Sequence, residues 1–432
     1  MTETFLPLVA NWQAPVRETY SFLTEIFESR SGREQRRSHR KFPRRDLSFD
    51  FLVNSASTRA LVAALTVRTE NDMRVVDFTA PPSYLDQPAS EGSTTLKIRL
   101  PRTWMTGSVP VGLVHGLNIG TDVISDLESL TDFNNDFNDD FGSGDLFTIS
   151  VTGLDRSWPA GTMIYPLING RVTEGLDMTF DTGNTARGTS VFRQTRGSNF
   201  QSTETPTQFA DMDVFEFRPN WSTRPRVTFA APEEEVDFTK GVTKTFKPVN
   251  FNSRRLQFSY LGIDREQVES MRDFFFRQNG RRGEFWCPSF IDDMLVTVGV
   301  NAGHTGFRVL GSNIASDFND NVHQAVCVNF TDGTSHYAEV TGMVSENTQI
   351  GPTVTGDFNA DYNEDFIPGV GLLGKQTYIQ IQQPFPASKR KSEISSVSWL
   401  FVSRFGSDDL TIEWVTSKVG RTLVNLTTLE KV

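Results

Sequence analysis

The chain has 432 residues, of which 37% are hydrophobic and 22% charged, and it contains 32 Gly, 20 Pro and 35 Phe. This composition excludes a disordered or fibrous chain, and the length exceeds what one hydrophobic core usually supports. The formal net charge of −11 argues against a nucleic-acid partner, because phosphate binding requires an excess of Lys and Arg. We therefore expect a turn-rich globular protein of about two to four domains.

Cysteine content and hydropathy give expectations about the compartment. Cys287 and Cys327 are too few for a disulfide framework or a four-thiolate metal site, and a bridge between them is disfavoured. The segment Met1 to Pro15 lacks the basic and apolar parts of a secretory signal, and no run of apolar residues is long enough to span a membrane. We expect synthesis in a cytoplasm and no membrane partner.

The first predicted elements are two strands and a helix. Aromatic and β-branched residues between Trp12 and Phe22 indicate a strand, and Leu47 to Phe51 alternates apolar and polar residues as a half-buried strand does. Possible N-cap residues follow at Asn54 to Ser57, and Thr58 to Leu65 has apolar residues at helical spacing. The order strand, strand, short helix is therefore predicted.

A basic stretch lies between the two predicted strands. It contains one acidic residue, Glu34, and eight basic ones: Arg30, Arg33, Arg36, Arg37, Arg40, Lys41, Arg44 and Arg45. The stretch could contact nucleic acid, be a solvated face, or meet acidic surface on a neighbouring subunit. We favour the subunit interface, because the chain is acidic elsewhere and the planar guanidinium of Arg suits interface carboxylates.

The second half repeats this order. Arg254 to Tyr260 carries the same paired arginines and alternation as Arg44 to Phe51. Asp264 can then cap a helix that has Gln267 three residues on and ends near Gly280.

Short strands dominate the remainder of both halves. Glu284 to Pro288 is an apolar run typical of a buried strand, and segments such as Thr95 to Leu100 and Ala325 to Phe330 are bounded by turn residues. Their close spacing predicts sandwich or barrel packing.

One acidic segment occurs twice. Asp132 to Phe141 returns as Asp357 to Phe366, about half the chain length later and without a gap. We interpret this as a tandem duplication of a unit of roughly 200 residues. The predicted fold is mainly β, with β-sandwich or barrel modules that carry one short helix each, and the predicted halves are residues 1–220 and 221–432.

The repeated segment also suggests calcium ligands. Asp and Asn alternate in both copies, but an EF-hand loop requires Gly at its sixth position and Glu at its twelfth. The first copy has Phe137 and Ser143 there, and the second has Tyr362 and Pro368. Asx turns anchored by aromatic side chains explain the pattern better, and Asp317 to Asp320 is a further loop of this type. We predict no metal and no cofactor.

Catalytic motifs do not emerge from the sequence. The five His residues show no metal-ligand spacing, and neither a nucleophile elbow nor a phosphate-binding loop is present. Nothing singles out two of the many acidic residues as a glycosidase pair. We predict no enzymatic activity and keep a polysaccharide-degrading enzyme as the third alternative.

Two segments carry a resemblance. Ser29 to Arg36, followed by the strand at Arg44-Arg45, resembles the opening module of tail-tip proteins of long-tailed bacteriophages and gene transfer agents. Phe274 to Gly280 with Phe285 to Pro288 resembles the helix and strand of the same modules. The resemblance covers roughly a quarter of the chain.

The resemblance implies a distal tail or baseplate protein of the virion tail. It would be a non-catalytic, β-rich homo-oligomeric ring that joins the tail tube to the hub and fibres, each half being a ring module with an inserted β domain. Such rings are commonly hexamers, whereas two modules per chain also allow a trimer with six modules. Neither nucleic acid nor membrane would be a partner.

The predicted oligomer interface combines basic and aromatic residues. It comprises Arg33, Arg36, Arg37, Arg40, Arg44, Arg45, Arg254, Arg255, Phe285 and Trp286. The alternative is a carbohydrate- or receptor-binding β-sandwich of the same tail, in which exposed Trp and Tyr side chains stack on sugar rings.

Overall fold

The computed structural model describes most of the chain. It covers residues 4–29, 33–54, 61, 72–99, 102–105, 108–128, 146–173, 176–195, 205–221, 223–230, 234–237, 241, 243–246, 253–318, 322–346 and 376–429. The fold is mainly β, which confirms the predicted fold class.

Strands dominate the first half. They are β1 (Thr4–Phe5), β2 (Val9–Ala10), β3 (Val16–Ser21), β4 (Thr24–Glu28), β5 (Glu34–Ser38), β6 (Arg44–Asn54), β7 (Met73–Val76), β8 (Ser83–Leu85), β9 (Thr95–Arg99), β10 (Val109–His115), β11 (Asn118–Glu128), β12 (Leu146–Val151), β13 (Met163–Val172), β14 (Met178–Thr182), β15 (Thr185–Gln194), β16 (Gln208–Phe209) and β17 (Met212–Asp213). A 3-10 turn lies at Thr103–Met105.

The second half adds twelve strands and two helices that are fully described. The strands are β18 (Arg226–Ala230), β19 (Glu234–Asp237), β20 (Thr243–Phe246), β21 (Ser253–Asp264), β22 (Phe285–Pro288), β23 (Gly306–Leu310), β24 (Ala325–Phe330), β25 (Ser335–Glu346), β26 (Gln376–Ile381), β27 (Ile394–Phe405), β28 (Asp409–Trp414) and β29 (Val419–Thr428). The helices are α1 (Arg265–Arg277) and α2 (Ile314–Asp317), with 3-10 turns at Gly280–Arg282 and Lys391–Glu393.

A long antiparallel sheet runs through both halves. Its strand order is β14, β15, β6, β3, β28, β29, β21 and β18. The pair β3–β28 joins residues near the N-terminus to residues almost 400 positions later. The sheet therefore crosses the predicted boundary at residue 220.

The first half carries a closed β-barrel beside this sheet. Strand β8 pairs with β9, β9 with β12, β12 with β11, β11 with β10, β10 with β13, and β13 returns to β8. Its interior is aliphatic and includes Leu96, Ile98, Leu113, Ile149 and Ile164. A closed barrel leaves no free strand edge, and its strand β13 continues beyond the barrel to pair with β7 and with β15 of the long sheet.

The second half carries a barrel of the same connectivity. Strand β23 pairs with β26, β26 with β25, β25 with β24, and β24 with β27. The segment before β23 takes the sixth position: the amide of Asp293 donates to the carbonyl of Val397 at 2.9 Å, and Val296 bridges to Val309. The core includes Val326, Ile379, Trp399 and Phe401.

The equivalence extends to the long sheet. In the first module (residues 4–195), β3 pairs with β6, β6 with β15, and β15 with β13 and β14. In the second module (residues 205–429), β18 pairs with β21, β21 with β29, and β29 with β27 and β28. A hairpin, β4–β5 or β19–β20, precedes the central strand in each module. The duplication itself, a statement about ancestry, stays a prediction.

One large core serves both modules. Tyr20 and Phe51 of the first module belong to the same buried cluster as Phe274, Phe285 and Phe405 of the second. The ring of Tyr20 packs on that of Phe276 at 4.8 Å between centroids. The two halves are thus structurally continuous, and the boundary at residue 220 stays a prediction about sequence units.

Most local predictions are confirmed. Strands occupy the segments predicted near residues 12–22, 47–51, 254–260 and 284–288. The carboxylate of Asp264 accepts a hydrogen bond from the amide of Gln267 at 2.9 Å and starts α1 as predicted. Both copies of the acidic segment, and the helix predicted over residues 58–65 apart from Leu61, lie outside the described residues.

Candidate assembly interface

The contact between the modules within one chain shows how these modules join. Strands β3 and β28 align antiparallel, with Glu18 opposite Ile412 and Arg17 opposite Glu413. Arg17 Nε lies 2.8 Å from a Glu413 carboxylate oxygen. Edge-to-edge strand pairing of this kind satisfies the backbone groups that each edge would otherwise expose.

A buried polar network lies behind this pair. Arg45 Nε donates to Glu18 at 2.6 Å, Tyr20 Oη donates at 2.6 Å, and Trp414 Nε1 donates from the second module at 3.1 Å. Burial alone would raise the pKa of Glu18, but the charges of Arg45 and Arg272 and these hydrogen bonds lower it to about 2. Glu18 is therefore ionised at neutral pH and links both modules.

A long hairpin fastens the junction on one side. Strands β4 and β5 reach from the first module onto the second, where Arg404 donates to both carboxylate oxygens of Glu34 at 2.8 and 2.7 Å. Arg36 donates to the carbonyl of Arg282 at 3.0 Å and pairs with Glu284. A bidentate pair with both side chains buried is a strong geometric lock.

Two strand edges remain at the ends of the long sheet. Among the described strands, β14 pairs only with β15, and β18 pairs only with β21. Phe180 on β14 is 60% exposed, and Phe229 on β18 is 64% exposed. Exposed edges with large apolar side chains are typical of surfaces that pair with another chain.

Each module also has a groove at equivalent positions of its sheet. In both modules the groove lies where the central strand, β6 or β21, begins and two other strands of the module end. The first-module groove, about 780 Å³, is lined by Arg44, Arg171 and Arg193, and we call it the basic groove. The equivalent groove of the second module, about 560 Å³, is lined by Arg255 and Arg404 and by Glu28 and Glu34 of the β4–β5 hairpin. Acidic residues of a hairpin thus already line one of the two grooves.

The structure uses several of the predicted interface arginines within the chain. Arg36 contacts the second module as described, and Arg40 donates to the carbonyls of Ser21 and Phe22. Arg45 is buried in the Glu18 network, and Arg254 Nη2 lies 2.7 Å from His323 Nε2. The predicted attraction to carboxylates holds for Arg36, but its acidic partner is in the same chain.

Three predicted interface residues, Arg45, Phe285 and Trp286, are buried and require correction. Phe285 and Trp286 are 0% and 1% exposed, because β22 is buried on both faces between the main core and a smaller cluster. They cannot reach a neighbouring subunit. Arg33, Arg37, Arg44 and Arg255 are exposed and remain candidates.

Sequence reasoning missed the apolar edges. Val227 and Phe229 alternate with Arg226 and Thr228, which is an ordinary strand pattern. The available signal was a short similarity between two segments: residues 226–229 (RVTF) resemble residues 17–20 (RETY). At the second position, apolar Val227 stands where the first module has the buried Glu18.

No group of three His, Cys, Asp or Glu side chains that could hold a metal occurs in the described ranges. Both cysteines are free and buried, and burial raises the pKa of Cys327 to about 12. The described part of the chain has no helix that is long and apolar enough to cross a membrane.

No family model matches the chain, and no curated protein sequence matches it at a significant level.

Proposed function

We propose that the chain is a non-catalytic structural component of a phage tail tip or baseplate, assembled as a homo-oligomeric ring between the tail tube and the hub and fibres. The observation that carries the proposal is the continuous sheet in which two modules of equal connectivity join side by side through β3 and β28. A module that joins to its like through opposite edges is suited to a ring, because each junction leaves a new edge for the next module.

The resemblance of Ser29 to Arg36 and of the α1 region supports the tail-tip assignment. The hairpin that carries the first of these segments is the element that locks one module onto the next, through Glu34 and Arg36. The segment of the resemblance therefore coincides with the module-to-module contact. A ring of six such modules requires three chains.

Mass spectrometry of purified virions tests this function. The protein should be found in particles, and gold labelling of an affinity tag should mark the end of the tail tube. A protein that is absent from purified virions would contradict the tail-tip assignment, whatever its oligomeric state.

The sugar-binding alternative would rest on exposed aromatic residues. Trp221 is half-exposed, but it lies just before the β18 edge, and Trp12 at the equivalent position of the first module packs against the main core. The position of Trp221 thus favours assembly over sugar binding. A glycan array with specific hits that Trp221→Ala abolishes would reverse this preference.

A further inference from the structure

The internal junction defines which positions of the free edges are equivalent. Glu18 pairs with Leu47 in the first module, and Val227 pairs with Leu256 at the same place in the second, so β18 corresponds to β3. Likewise, β14 pairs with β15 as β28 pairs with β29. The edge strand β14 is therefore equivalent to β28, and the edge strand β18 is equivalent to β3.

From this equivalence we infer that β14 of one copy pairs antiparallel with β18 of a second copy, in the register of the internal β28–β3 junction. The inference rests on the proposed ring assembly and names its contact. Transferring the internal register gives these opposed residues: Leu176 with Phe229, Asp177 with Thr228, Met178 with Val227, Thr179 with Arg226, and Phe180 with Pro225.

The side chains fit this register. In the internal pair the alternate residues Leu410, Ile412 and Trp414 face the core side, and the equivalent β14 residues are Leu176, Met178 and Phe180. On β18, Val227 and Phe229 lie on the same face and are exposed in the single chain. An apolar face on each edge would be removed from water by the pairing, which favours it.

The two edge strands of one chain are too far apart to pair with each other. Strands β14 and β18 are the first and last of eight in the sheet. Neighbouring strands lie about 4.8 Å apart, so seven spacings separate the two edges by roughly 34 Å. The partner of each edge is therefore a second copy, in a head-to-tail arrangement.

Charge supports the same geometry through the second hairpin. On β4–β5, Glu28 and Glu34 share the face that lies on the second-module groove. Within the described strands β19 and β20, the corresponding face carries Glu235 and Asp237 with Thr243 and Thr245 and no basic residue. In the next copy this acidic face meets the basic groove, where Arg44, Arg171 and Arg193 converge.

Engineered cysteines test the register in the full-length protein. Two double variants place thiols at opposed positions of the inferred pair: Thr179→Cys with Arg226→Cys, and Met178→Cys with Val227→Cys. Opposed residues of an antiparallel pair alternate between hydrogen-bonded and non-hydrogen-bonded positions, and the two double variants sample one position of each type. Both native cysteines are buried, so they do not compete for the oxidant. Mild oxidation should give covalent oligomers with at least one of these double variants. Thr182→Cys with Arg226→Cys is the out-of-register control and should stay uncrosslinked.

Charged edge residues test the energetic role. Phe180→Asp and Phe229→Asp should each shift the protein from oligomer to monomer in light scattering. Leu423→Asp and Val344→Asp are matched controls, because these residues are similarly exposed but lie away from both edges. The controls should assemble as the wild type does.

The outcomes separate the inference from the proposed function. If the protein forms an oligomer, but neither in-register crosslink appears and both edge variants still assemble, the edge pairing is overturned. If that protein is nevertheless found in virions, the proposed tail function still holds. Edge pairing with absence from virions would overturn only the function. A protein that is monomeric at all concentrations would overturn the edge pairing.

Discussion

Glu18 is the residue on which the internal junction depends most. Its carboxylate is buried and receives hydrogen bonds from both modules, so replacing it leaves Arg45 in a buried site with one partner fewer. Glu18→Gln should lower the free energy of unfolding by about 3–5 kcal/mol, the usual cost of breaking a buried ion pair. Urea unfolding measures this loss.

A matched exposed carboxylate provides the control for that variant. Glu25 pairs with His39 at the surface, where an ion pair contributes little. Glu25→Gln should therefore unfold at nearly the wild-type urea concentration. Equal effects of the two substitutions would contradict the role assigned to Glu18.

The depressed pKa of Glu18 predicts a specific acid sensitivity. Its pKa is about 2 in the folded chain and near 4.5 when unperturbed, so its ionic contribution is complete above about pH 4.5 and is lost as pH falls toward 2. The stability difference between wild type and Glu18→Gln should shrink over that window. A difference that is the same at about pH 6 and about pH 3 would contradict this.

At the scale of elements, the sequence specifies what is local. The alternation in β21, the Asp264 cap of α1 and the all-apolar strand β22 each depend on neighbouring residues, and each was predictable. All four residues of β22 are apolar, so burying them requires a strand that is covered on both faces. Phe285 and Trp286 therefore belong to the core and not to a surface.

Non-local pairing was not predictable in the same way. The β3–β28 pair joins strands from opposite ends of the chain, and the closure of each barrel depends on six segments at once, which are six strands in the first barrel and five strands with the segment before β23 in the second. Hydrophobic periodicity identifies a strand but does not choose its partner. The free edges of the candidate interface follow from that choice, so they became visible only in the fold.

The β4–β5 hairpin gives a prediction at this scale. Arg404→Gln removes the bidentate contact to Glu34 that holds the hairpin on the second module. Backbone amides of β5 should then exchange with deuterium roughly tenfold faster or more, because the hairpin opens locally. Arg421→Gln removes a more exposed ion pair of the same module and should leave β5 protected. Unchanged exchange in Arg404→Gln would contradict the locking role.

At the scale of the whole molecule, the internal junction and the inferred outer junction share one register and differ in chemistry. The internal one contains the buried ionic network of Glu18, whereas the outer one would oppose Met178 to Val227. Strand β14 would be a poor substitute for β28, because Phe180, the β14 residue equivalent to Trp414, has no N–H group that could donate to the buried Glu18.

If modules of this chain repeat side by side in a closed ring, cryo-electron microscopy of the purified full-length protein will show that ring directly. We expect rings in which modules are twice as numerous as chains and in which β14 of each copy is paired with β18 of the next. Monomers, or two-fold dimers joined through any other surface, would contradict it.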